Sequence, residues 1–367
     1  MIQDYIDSLL HSTPEHPLWN QEWIRQNKKA GWNYIDGCMM TAFLSLYDKK
    51  RERKYLDFVK NYIDYFIQDD GSIKTYCEEE YNLDNINEGR VLFRLYDEFG
   101  EERYRKAIET LYTQLQNQPR TKEGNFWHKK IYPHQVWLDG LYMAQPFYLE
   151  YEKRFNSRKN YGDILRQFLN TEKYLKDQET GLYYHAYDSS RKMYWCDPET
   201  GRSPHFWLRA MGWYYMALVD VLEILDSEDK YRGSYIRLFQ DLTLALLKYQ
   251  DDSGMWYQII DKAHIPPNYP ETSGSAIIAY ALFKAVRLNI LPAEIRGRAE
   301  KAFKGISEKY LTVREEEISL GGTCLVAGLG GKEERDGSFR YYMSEPVVEN
   351  EAKGIAPFIL AYIYTLN

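Results

Sequence analysis

Several things this chain does without narrow its identity before any motif is read. No stretch approaches about 18 uninterrupted apolar residues, so no membrane-spanning helix is expected. The N-terminal run MIQDYIDSLLHSTPEHPLW has neither a basic n-region nor a long apolar h-region, and a cytoplasmic location is expected. Cysteine is scarce. Cys38, Cys77, Cys196 and Cys324 lie far apart with no CxxC or Cys/His spacing, so they read as free thiols in a reducing compartment, with no metal or other cofactor expected. A net charge of -7 without any basic stripe excludes a phosphate-neutralising surface, and with it a nucleic-acid partner. There is no GxSxG, no P-loop, no GxGxxG after a strand and no HExxH. A Pro/Ser-rich linker is missing as well, so residues 1–367 read as a single domain.

Aromatic side chains are abundant by contrast. Thirty-four Tyr, fifteen Phe and nine Trp make 16% of the chain, and Tyr and Trp offer an apolar face with a polar edge, the combination that sugar rings need from a cleft. The alternative is aromatic helix packing.

The chain also repeats. Helix pairs recur in which one member is amphipathic and the other is rich in Gly, Ala and aromatics. The small-residue members start near Gly37, Gly89, Gly140, Gly212, Gly274 and Gly354. Turns at Asp70-Gly71, Glu123-Gly124, Thr180-Gly181, Ser253-Gly254 and Asp336-Gly337 follow the amphipathic members and precede aromatic tracts, SFRYYM among them. The period is longer and less regular than the roughly 34 to 47 residues of helical solenoids. The pattern predicts an all-α closed ring, an (α/α)6 barrel of six inner and six outer helices, with aromatic loops at one end. The Gly328–Lys332 run GLGGK has no strand before it and reads as a flexible loop of the cleft wall.

Asp139 draws attention because it sits in an aromatic tract, IYPHQVWLDGLYMAQPFYLEY. An Asp-Gly pair at a helix start is commonly a cap. Its company offers a second reading: His128, His134, Trp127 and Trp137 flank it, and Asp84 and Glu88 open the preceding small-residue helix. Converging carboxylates in a poorly solvated pocket let one of them hold a proton near neutrality, as a general acid must. Arg209 is a cation in an otherwise apolar helix and calls either for an ion pair with a neighbouring helix or for an anionic ligand.

The strings WHKKIYPHQVWLDGLYMAQPF, GLYYHAYD and HFWLRAMGWYYMALVD, in that order, resemble family 105 glycoside hydrolases, the unsaturated rhamnogalacturonyl hydrolases. The resemblance implies the same barrel. It implies a pectin-lyase product as substrate, a small disaccharide whose non-reducing uronic acid has a C4=C5 double bond. Cleavage would follow protonation at C4 and hydration at C5. It further implies Asp139 as acid and base, Asp84 as its partner, Arg209 on the uronate carboxylate, Trp213, Trp137 and His185 around the ring, and His128 and Lys129 near the entrance. The first hairpin offers Trp32 and Tyr34 as the stacking aromatic. The competing expectations are an unsaturated glucuronyl hydrolase acting on glycosaminoglycan fragments, and a non-catalytic sugar-binding helical toroid.

Overall fold

In the computed structural model, which describes residues 1–332 and 334–366, the small-residue segments become the inner wall of a ring. The inner helices are Tyr34–Lys50, Asp84–Asn87 continuing as Arg90–Phe99, Leu138–Phe155, Leu208–Ile224, Thr272–Arg287 and Ala352–Ile363. Each packs on the next, and the sixth packs on the first. Behind them lie Arg53–Asp64, Glu102–Asn117, Tyr161–Leu175, Arg232–Leu247 and Arg296–Tyr310. The N-terminal helix Ile2–Leu9 bridges the first outer helix and the start of the sixth inner one: Gln3 Nε2 donates to Tyr55 OH (2.8 Å) and Tyr5 OH donates to Asn350 Oδ1 (2.7 Å). The fold is the expected (α/α)6 barrel, its outer layer made of these five helices with the short N-terminal helix beside them.

Inner helices are covered on both sides, so they tolerate few polar groups. Every residue from Leu208 to Leu222 is buried. Small residues set how closely the helices approach: a Cβ added at Gly37 would lie 2.6 Å from the Cα of Glu88 on the next inner helix. Pro146 lies inside the third inner helix, so the carbonyl of Tyr142 loses its usual main-chain donor. Asn87 of the neighbouring inner helix supplies one from Nδ2 at 3.4 Å.

The two ends of the ring are electrostatically different, as helix dipoles require. Asp36, Asp84 and Asp139 occupy first turns at the mouth, and Glu271 accepts from Gly274 N there. At the far end Arg90 and Lys284 converge on Asp220 (both 2.7 Å), and Lys153 Nζ donates to the carbonyl of Ile224 (2.6 Å). Two mouth residues run against this polarity. Arg209 and Lys353 are cations in the first turn of their helices.

The Gly turns behave as read; Gly124 and Gly181, beside the mouth, adopt φ of +100° and +76°. One expectation about the wall needs correction, and the other is a loop as read. The SFRYYM tract is not a loop: Phe339–Ser344 is a short helix, capped by Ser338 Oγ accepting from Tyr341 N. The Gly328–Lys332 run folds back on itself, with Gly330 N donating to Arg335 O (2.8 Å) and Arg335 Nη2 donating to Tyr132 OH (3.1 Å). Among the described residues no helix is long and apolar enough to cross a membrane.

Candidate active site

Asp139 lies in the first turn of the third inner helix but does not cap it; Trp137 holds the cap position and no side chain bonds the exposed N–H groups. What the local sequence positions here is a neighbour. The strand Gln135–Trp137 pairs antiparallel with Ala186–Asp188, placing Trp137 opposite Ala186, and the ladder extends by one bond as Leu138 N donates to His185 O (3.0 Å). The register therefore delivers His185 to Asp139, with Nε2 3.4 Å from Oδ2. His185 is fully buried, whereas 14% of the Asp139 side chain is exposed. Asp139 has no Lys or Arg ion pair among the described residues.

Asp84 is treated differently. Lys129 Nζ stands 2.5 Å from its Oδ2 and His128 Nε2 3.6 Å from its Oδ1. Burial disfavours the Asp84 charge, but Lys129, His128 and Lys353 together hold the carboxyl below its ordinary range. Burial also pushes His128 down, to about 4, against the opposing pull of Asp84 and Asp139, so this imidazole is neutral at neutral pH. The two carboxylates are thus unlike: Asp84 is a fixed anion inside an ion pair, and Asp139 faces a histidine.

Aromatic rings build the surrounding wall. Tyr132 stacks on Trp137 (5.0 Å between centroids), Trp137 stacks on His128 (4.7 Å), and the edge of Trp137 meets His185 (5.3 Å). Tyr34 is half-buried at the start of the first inner helix; burial raises its phenol well above the ordinary value, and Asp84 pushes the same way while Arg209 opposes. Trp32 is buried, its Nε1 donating to Asn85 O (2.7 Å). Trp213 is 1% exposed and stacks on Tyr142 (4.8 Å), inside the ring.

Among the described residues Arg209 has no carboxylate ion-pair partner. It is 2% exposed, lies over Trp207 (4.9 Å), and donates to Ser273 Oγ (3.3 Å), to the carbonyl of Cys324, and to that of Leu325 (3.5 Å). The inner barrel is thereby tied to the segment that forms the strand pair Thr323–Cys324 with Val347–Val348.

Three groups escaped the sequence reading as site residues. Lys353 is 1% exposed, pairs with Glu351 (2.7 Å), and adds its charge to the field at Asp84. Glu88 and Asp36 form a buried carboxyl pair just inside the mouth; burial raises both, Asp36 to about 6, and Asn33 N donates to Glu88 Oε2 (2.8 Å). Tyr342 of the wall helix bonds His185 Nδ1 at 2.8 Å. A cation at a helix start was a usable signal for Lys353. Glu88 carried the same signal as Asp84, a carboxylate opening an inner helix, whereas Tyr342 had none, since its role depends on elements far away in sequence. Among the described residues no cluster of three or more His, Cys, Asp or Glu could hold a metal ion.

Comparison with known proteins agrees with this fold. The family model described as Glycosyl Hydrolase Family 88 matches residues 5–367. A solved family 105 glycoside hydrolase of C. acetobutylicum ATCC 824 is 48% identical, with a TM-score of 0.89 over 95% of this chain and 99% of that one. The unsaturated rhamnogalacturonyl hydrolase YesR of Bacillus subtilis is 27% identical over 263 residues, covering 70% of this chain and 72% of YesR. An unsaturated glucuronyl hydrolase specific for heparin shares the fold at 13% identity, with a TM-score of 0.69 over 99% of this chain and 96% of that one. The chain belongs to the glycosyl hydrolase family 88 and 105 group, and it is a glycoside hydrolase.

Proposed function

We propose that this enzyme hydrates the C4=C5 double bond of a non-reducing unsaturated galacturonyl residue in rhamnogalacturonan disaccharides, the products of pectin lyases, and so releases the rhamnose-ended sugar. The observation that carries the reading is the unequal treatment of the two mouth carboxylates: Asp84 is locked to Lys129 at 2.5 Å, while the basic partner of Asp139 among the described residues is His185, at 3.4 Å. The relationship to YesR supports the choice of sugar.

The double bond carries the ring oxygen on C5, so it is an enol ether. Asp139 gives its proton to C4, and positive charge develops on C5 and the ring oxygen. Water attacks C5 while the Asp139 carboxylate takes its proton, which restores the acid. The resulting hemiketal opens at the bond between C5 and the ring oxygen, and the hemiacetal left at C1 expels the neighbouring sugar. Asp84, kept anionic by Lys129, stabilises the developing positive charge. Arg209 and Tyr34 face the uronate end, His128 and Lys129 the entrance, and Trp137 and His185 border the ring. Trp213, which the resemblance put at the ring, is buried and stacked on Tyr142 inside the barrel.

The test is loss of the ultraviolet absorbance of an unsaturated galacturonyl-rhamnose disaccharide, run in parallel with an unsaturated chondroitin disaccharide. Preferred bleaching of the first is expected. Preference for the second would reassign the substrate to glycosaminoglycan fragments, and bleaching of neither would refute both substrates.

A further inference from the structure

We infer that Tyr342 is a positioning residue for Asp139, acting through the ring of His185. The three groups form a line: Tyr342 OH is 2.8 Å from His185 Nδ1, and His185 Nε2 is 3.4 Å from Asp139 Oδ2. Tyr342 and His185 are both fully buried. Asp139 Oδ2 and His185 Nε2 are buried too, and neither makes a hydrogen bond among the described residues, so each faces the other as its available partner.

Proton placement follows from what each atom can do. A neutral imidazole has one donor nitrogen and one acceptor, and the partner of one nitrogen fixes the role of the other. Burial, with Asp139 among the charges acting in the same direction, keeps the Tyr342 phenol protonated well beyond neutrality. A protonated phenol can donate to Nδ1, and the Asp139 oxygen facing Nε2 selects that arrangement, with the ring proton on Nε2 and aimed at Asp139. Swapping the tautomer would set a bare Nε2 against a carboxylate oxygen, two acceptors facing each other in a poorly solvated place. The ring cannot turn away to relieve this, because Trp207 lies 4.7 Å from it on one side and the Trp137 edge 5.3 Å on another. With Nε2–H directed at Oδ2, that oxygen is fixed, and the exposed remainder of the Asp139 side chain is presented to the mouth.

Tyr342 reaches this position from a distant part of the chain. It is carried by the helix Phe339–Ser344, which packs its ring over Trp207 (5.9 Å) and whose flanks are pinned by the pairing of Thr323 with Val348 and by Leu325 N donating to Pro346 O (2.8 Å). The wall segment thus completes the acid/base group, in addition to enclosing the cleft.

The catalytic part of this inference rests on Asp139 being the acid and base; the tautomer part does not. The chain has seven His, so long-range ¹H–¹⁵N spectra of the full protein with labelled histidine can resolve each ring, and the His185 signals are those lost in His185→Gln. The wild-type protein is expected to show the His185 Nδ1 as the hydrogen-bond acceptor and Nε2 carrying a proton. In Tyr342→Phe a mixture of tautomers is expected. With the unsaturated disaccharide, kcat should fall about tenfold with KM changed less than about twofold, as for loss of a residue that orients a catalytic group. Combining Tyr342→Phe with His185→Gln should add nothing to the loss caused by His185→Gln alone. A wild-type His185 protonated on Nδ1 would overturn the proposal even if the Phe variant does not fold, and so would a Phe variant with an unchanged tautomer. If no unsaturated disaccharide is turned over by the wild-type enzyme, the proposed function fails, and the spectra still decide the Tyr342 and His185 relationship.

Discussion

The Nζ of Lys129 lies 2.5 Å from Oδ2 of Asp84, and these residues come from different repeats of the ring, Asp84 opening the second inner helix and Lys129 sitting in the aromatic connection before the third. The pair holds one of two mouth carboxylates as an anion, while Asp139 has no Lys or Arg ion pair among the described residues.

Replacing Lys129 by Met removes the nearest cation from a carboxylate whose side chain is only 13% exposed. Loss of about 2 kcal/mol of stability at neutral pH is expected, since breaking one half of a poorly solvated pair leaves the other charge uncompensated. The sign of the pH dependence follows from Asp84 being held below its ordinary value. Its contribution is present at neutral pH and is lost as the pH falls through the folded-state value. Urea unfolding of wild type and Lys129→Met should therefore differ most near pH 7 and converge as the solution is made acidic.

Asp139→Asn keeps the shape of the side chain but can neither give nor take the required proton. Turnover should fall by on the order of 10³-fold or more, within the range expected for general acid and base catalysis. Binding of the disaccharide, measured by calorimetry, should persist. Full activity in this variant would end the assignment.

Arg209→Lys tests two roles together. A Lys ammonium cannot reproduce the fork that reaches Ser273 and the carbonyls of Cys324 and Leu325. We expect a stability loss of about 2 kcal/mol from the carbonyl contacts, together with a raised KM if the same guanidinium meets the uronate. A lower melting temperature with an unchanged KM would show that Arg209 only ties the wall to the barrel.

His128 provides a spectroscopic check on the electrostatics of the mouth. With its value pushed down to about 4, its ring signals should not titrate between pH 5.5 and 8 in an NMR series, whereas an exposed histidine would pass through its midpoint near 6.5. The depressed value also carries a sign for stability: the unfolded chain takes up this proton first, so His128 destabilises the fold progressively as pH drops from about 6.5 towards 4. A midpoint above 6 would contradict the burial of the His128 ring at the mouth.

Much of the architecture was legible in the residues. Six glycine-marked apolar helices, each paired with an amphipathic one, can bury their faces only by closing on themselves, and the turn glycines fix where the chain reverses. Asp139, Asp84 and Arg209 stood out because charges are costly in helices that are apolar on all sides. Other features belong to tertiary structure alone. Whether Asp139 capped its helix was settled by the strand before it, which puts Trp137 at the cap position and His185 alongside. The carbonyl partners of Arg209 and the phenol of Tyr342 lie more than a hundred residues away from the groups they serve. Local sequence determines which residues are unusual for their surroundings, because that depends on periodicity and burial. Which two unusual residues meet depends on the closure of the ring and the docking of its wall, and no periodicity encodes that.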